Sequence, residues 1–141
     1  MPRIPLIYAC LVLLAGCSET FEHHFSTFDE AAKSQSYKGR WIPQWLPKSA
    51  SEIRDKYKID TTYTLVTFVF TSSDKAPFNS DCSSATKTLP APHLTASWWP
   101  NDLRGTSMGT HRYEFFDCPS ENGALAVLAS ERRAYFWRYG S

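Results

Sequence analysis

After Arg3 the chain runs apolar over residues 4–14 and then turns polar. That run is about half the length a membrane-spanning helix requires. Residues 18–24 carry no strong pattern and read as a short tether. Thr27 followed by Glu30 has the form of a capping box, and Phe25, Phe28, Ala31 and Ala32 line one face of the predicted helix, with Gly39 as its stop. A second box, Ser49-Ala50-Ser51-Glu52, follows Pro47, and Ala50, Ile53 and Tyr57 at helical spacing predict a second short helix. Between the two, Trp41-Ile42-Pro43-Gln44-Trp45-Leu46-Pro47 is extended and kinked, because each proline keeps its predecessor out of the α region.

Beyond Asp60 the period changes to two. Tyr63, Leu65, Thr67 and Val69 alternate with Thr64, Val66, Phe68 and Phe70, and the apolar residues on both faces predict a central strand. Residues 72–100 are rich in proline, serine and threonine and read as a long surface excursion, with room for a short helix over 81–87. Strands are expected over 113–118, 124–130 and 134–139, the first two joined by an Asn122-Gly123 turn. Helices first and strands after predict an α+β domain: one or two short N-terminal helices packed on one face of a small antiparallel sheet that ends in a C-terminal β-meander.

The apolar run closes on Leu14-Ala15-Gly16-Cys17, and the whole segment resembles bacterial lipoprotein signals. That resemblance implies cleavage before Cys17 and acyl chains on its thiol and freed amine. Residues 1–16 then form the signal peptide, 17–24 the lipidated cysteine and tether, and 25–141 a single domain. Ser18 follows the cysteine in place of the aspartate that commonly retains such proteins at the inner membrane. The expected location is the periplasmic side of the outer membrane. Of the 15 Lys and Arg residues only Arg3 falls in the signal, so the mature chain balances its 14 acidic residues. Arg132, Arg133 and Arg138 are interrupted by aromatics, so no basic stripe points to nucleic acid.

Four cysteines reduce to two once Cys10 leaves with the signal and Cys17 takes lipid. Cys82 and Cys118, in an exported domain, are expected to form a disulfide. No C-x-x-C pair and no histidine at ligand spacing supports a metal or redox role, and neither a metal nor a cofactor is expected. Trp41, Trp45, Trp98 and Trp99 sit in proline-bearing irregular segments and form a candidate binding surface for a protein or glycan, weighed against simple loop packing onto a core.

Ser84-Ala85-Thr86-Lys87 matches the S-x-x-K nucleophile pattern, but the S-D-N and K-T-G partners are missing and the domain is too small for that fold. His93 and His111 have no obvious serine or cysteine partner, His23 and His24 fall in the tether, and Asp60 reads as a turn carboxylate. The segments Gly39-Arg40-Trp41-Ile42-Pro43, Trp45-Leu46-Pro47, Ser49-Ala50, Asp60-Thr61, Trp98-Trp99-Pro100 and Tyr135-Phe136-Trp137-Arg138 together resemble a group of small bacterial lipoproteins that share a G-W-[IL]-P-x-x-[IL]-P-x-S-A segment. The resemblance implies a single exported domain and supplies no catalytic residues. The expected function is a lipid-anchored envelope protein that acts as a non-enzymatic binding or accessory module. The alternatives are a small cell-wall-active hydrolase and a structural accessory of an envelope complex.

Overall fold

In chain order the elements are β1 (Thr20–Thr27), α1 (Phe28–Ala32), α2 (Gln35–Lys38), β2 (Ser51–Lys58), β3 (Thr64–Val69), β4 (Ser83–Ser84), β5 (Glu114–Cys118), β6 (Gly123–Leu128) and β7 (Arg133–Arg138). They come from a computed structural model that describes residues 19–71, 81–105 and 112–140. Residues 1–16, expected to be a signal peptide, and Cys17, Ser18 and His111 lie outside the described residues. The strands form one antiparallel sheet in the order β1-β2-β3-β7-β6-β5-β4. An α+β domain dominated by its sheet is therefore what the chain builds.

Local chemistry accounts for the first helices. Thr27 accepts from the Glu30 N–H at 3.3 Å while the Glu30 carboxylate accepts from the Ser26 N–H at 2.9 Å. This is the expected capping box, with its return bond one residue earlier than the usual form. Ser34 caps α2 by accepting from Tyr37 N, and Gly39 ends it.

The second predicted helix is a strand. Over β2, Ile53, Asp55 and Tyr57 are buried and their neighbours are not, a period of two that the buried charge of Asp55 hides in the sequence. Glu52, at φ 48°, sits in the register shift between Ser51 and Arg54, which lets β2 begin beside Thr27 and still pair with β3. Residues 20–24, expected in the tether, are the first five positions of β1, paired with β2 through Thr20↔Lys58 to His24↔Arg54.

Apolar residues on both sides of β3, β6 and β7 require cover on both sheet faces. Ile53, Val66, Phe68, Leu125, Val127, Ala134 and Phe136 pack on one face with Ala31, Ile42, Trp45 and Leu46 from the helices and the 41–47 segment. Leu65, Ala124, Ala126, Leu128, Tyr135 and Trp137 pack on the other with Leu89, Ala96, Trp99 and Leu103. The stretch expected as a surface excursion is thus, over its described part, the second cover of the sheet. Its N-terminal end forms the two-residue strand β4 instead of a helix over 81–87.

Hydrogen bonds from side chains replace regular structure in that cover. The Trp137 indole donates to Pro90 O at 2.9 Å, and Arg104 Nη2 donates to the carbonyls of Ala96 and Trp99, each at 2.8 Å. The β5–β6 and β6–β7 turns share one construction: a 3-10 turn (Pro119–Glu121, Ala129–Glu131) followed by a left-handed residue, Asn122 or Arg132, each at φ 50°. Asn122-Gly123 therefore marks the end of a longer turn. Gly123 is required by close approach, since a Cβ there would lie 2.7 Å from Trp137 O and 2.8 Å from the Phe136 ring.

Candidate functional site

The four candidate tryptophans do not share a surface. Trp45 is buried on the helix side of the sheet, edge-on to Phe136 at 5.5 Å and to Phe68 at 6.4 Å. Trp99, 2% exposed, lies on the opposite side, edge-on to Tyr135 and Trp137, and donates its indole N–H to Leu103 O at 3.1 Å. Trp41 is half-buried and stacks on Tyr57 at 4.3 Å. Trp98, also half-buried, donates to Glu22 Oε1 at 3.2 Å. The physical reason is the two-sided sheet: each face needs bulky cover, and the two proline-bearing segments supply it with indoles.

Cys82 and Cys118 are bonded, with Cα atoms 4.2 Å apart. The bridge sits where Ser83 pairs with Asp117, so it fastens the start of the second cover to β5. Ser84 and Lys87 of the S-x-x-K pattern are both exposed on the surface. His93 stacks on Tyr63 at 4.3 Å and shares a shallow depression with Asp60, Thr61, Thr62, Tyr139 and Gly140. Asp60, at φ 70°, is a turn residue as expected. Within the second cover, Tyr113 donates to Asp102 Oδ1 at 2.8 Å. Burial, reinforced by that carboxylate, pushes its hydroxyl upward, so it stays protonated at neutral pH.

A polar cluster that the sequence does not reveal joins three elements. His23 of β1 lies with Nδ1 2.8 Å from Oδ1 of Asp55 on β2 and 3.1 Å from Oγ of Ser36 on α2. Asp55 is fully buried, and its Oδ2 has no hydrogen-bond partner among the described residues. Burial holds its carboxyl above the ordinary value, opposed by the polar neighbours Ser36 and His23. The residue types are those of a hydrolytic triad, but the geometry is not. A triad histidine takes the serine proton on one ring nitrogen and faces the carboxylate with the other, whereas here both contacts fall on Nδ1. One nitrogen cannot hold a proton for Asp55 and accept one from Ser36, so no proton path runs through the ring. The cluster clamps β1, α2 and β2 together. Separations of 13 and 32 residues gave no spacing signal for it. Among the described residues no three His, Cys, Asp or Glu side chains group as metal ligands.

Residues 19–69 match the YbbD head domain family. The match begins one residue before β1 and ends with β3, well under half of the chain, and so spans the clamp, Trp41 and Trp45. No curated protein matches, and no solved structure matches.

Proposed function

We propose that the protein is a lipid-anchored component of the cell envelope, held through acyl chains on Cys17 on the periplasmic side of the outer membrane, and that it works by binding another envelope protein. The observation that carries binding is a sheet edge that no described strand covers. β1 is eight residues long, mostly exposed, and paired on one side with β2. The Ile59 N–H donates to Glu19 O at 3.1 Å, which sets the phase of the ladder: 19, 21, 23 and 25 turn their backbone groups to β2, and Thr20, Glu22 and His24 turn theirs outward. Ser26 agrees with this phase, since its N–H is taken by Glu30 and not by β2. An outward row of N–H and C=O groups is a template for an added strand, and the occupant proposed is an extended segment of a partner protein. The hydrolase reading draws no support from the His23, Ser36 and Asp55 arrangement.

The test places a photo-crosslinking amino acid at His24, whose side chain is exposed, in the membrane-anchored protein. The expected result is a discrete adduct that disappears in Glu22→Pro. Proline there removes one outward N–H and leaves the β2 ladder intact, so melting should change little. An adduct that survives Glu22→Pro, or no adduct in the wild type, overturns strand addition.

A further inference from the structure

Two large apolar side chains stand open to water among the described residues, Phe21 at 37% and Ile59 at 39% exposure. Both lie at one end of the sheet. Thr20 pairs with Lys58, and Ile59 donates its N–H to Glu19 O, so the start of β1 and the end of β2 are side by side. Phe21 stacks on Tyr57 at 5.6 Å, Tyr57 carries Trp41 on 4.3 Å stacking, and Ile59 follows two residues beyond Tyr57. The result is an aromatic and aliphatic ledge at the terminus of β1.

Where the chain leaves this end identifies what covers it. Cys17 precedes Thr20 by three residues, which reach roughly 10 Å when fully extended. If Cys17 is held in a bilayer, the ledge lies within roughly 10 Å of it, and the opposite end of the sheet does not. The opposite end, carrying the β6–β7 turn, is the full length of the strands away. The charged residues flanking the ledge in the chain carry no basic excess: Glu19, Glu22 and Asp60 stand beside Arg40 and Lys58. Attraction to an anionic surface therefore contributes little, and apolar insertion is left as the driving force.

We propose that Phe21 and Ile59 insert into the interfacial region of the bilayer that holds the lipid anchor, seating the domain end-on with β1 rising from the surface. This rests on the lipid-anchor reading and adds an orientation to it. A side chain pair of this size would not hold a free protein on a membrane, but the anchor makes the contact intramolecular, so a weak contact suffices. Seating of this kind also holds the outward edge of β1 from His24 onward at a fixed height, since His24 lies three strand residues, roughly 10 Å, beyond Phe21.

The experiment uses acylated full-length mature protein in zwitterionic phosphatidylcholine vesicles, with an environment-sensitive fluorophore on a cysteine introduced at Thr62 or at Ser130. Both positions are exposed, and with Cys17 acylated and Cys82 bonded to Cys118 the new thiol is unique. The label at Thr62 should shift to the blue on vesicle binding and be quenched by a shallow spin-labelled lipid. Neither effect should appear at Ser130, and both should be lost at Thr62 when Phe21→Ser and Ile59→Ser are combined. Mass spectrometry and flotation with the vesicles report the anchor separately. Protein that is acylated and floats but shows a water-like label at Thr62 overturns the seating and leaves the anchor standing. Protein without acyl mass at Cys17 overturns the anchor and the seating with it.

Discussion

Truncating Trp99 to alanine should be among the most damaging single changes in the domain, and truncating Trp98, its neighbour, should cost much less. Trp99 is 2% exposed and fills the cover between Tyr135 and Trp137. A buried indole withdraws about 200 Å² from water, which at about 25 cal/mol/Å² corresponds to about 5 kcal/mol. Incomplete collapse of the cavity and the part alanine still buries bring comparable truncations to about 3–5 kcal/mol. The lost N–H bond also takes a buried donor from Leu103 O and places Trp99→Ala toward the upper end of that range. Trp98 is half-buried and its N–H meets an exposed carboxylate, so Trp98→Ala should cost about 1–2 kcal/mol. Urea unfolding with the disulfide intact measures both. With a slope of about 1.5 kcal/mol/M, the Trp99→Ala midpoint should fall by roughly 2–3 M. A Trp99→Ala loss below about 1 kcal/mol, or a larger loss for Trp98→Ala, would refute the assignment of the 85–105 segment as a structural cover.

Replacing Cys82 and Cys118 together by alanine frees a loop of 36 residues and should cost up to about 4 kcal/mol in the same unfolding assay; an unchanged midpoint would mean that β4 and β5 are held by other contacts alone. Asp55→Asn tests the clamp. Because burial raises the Asp55 carboxyl in the folded state, the fold binds its proton more tightly than the unfolded chain does. Wild-type stability relative to Asp55→Asn should then be greatest below about pH 4, the range of an unfolded aspartate, and decline as pH rises through the higher folded value. A difference that grows with pH would show the charged carboxylate to be the stabilised form. Cys17→Ser should leave unprocessed precursor and remove mature protein from the membrane fraction, as read by gel shift and fractionation; normal processing would refute lipidation at Cys17.

Local patterns carried the parts of this protein whose partners are close in sequence. Thr27 with Glu30, and Gly39, act on backbone groups within a few residues, so the start and the end of the helical stretch are readable from spacing, whereas its division at Ser34 into two helices is not. The alternation over 64–69 and the ordered meander β5-β6-β7 are likewise properties of single strands and short turns. The pairing of Cys82 with Cys118 follows once the other cysteines are set aside. What the sequence left open depends on side chains meeting across the fold. Asp55 reads as a surface charge and breaks the alternation of β2, and only His23 and Ser36, brought in from β1 and α2, make its burial tolerable. Residues 20–24 look like a tether until β2 offers them an edge to pair with. The tryptophans carry no mark of which side of the sheet they cover. That choice is made when a sheet apolar on both faces collects cover from two distant segments, leaving Phe21 and Ile59 outside both cores at the end where β1 begins.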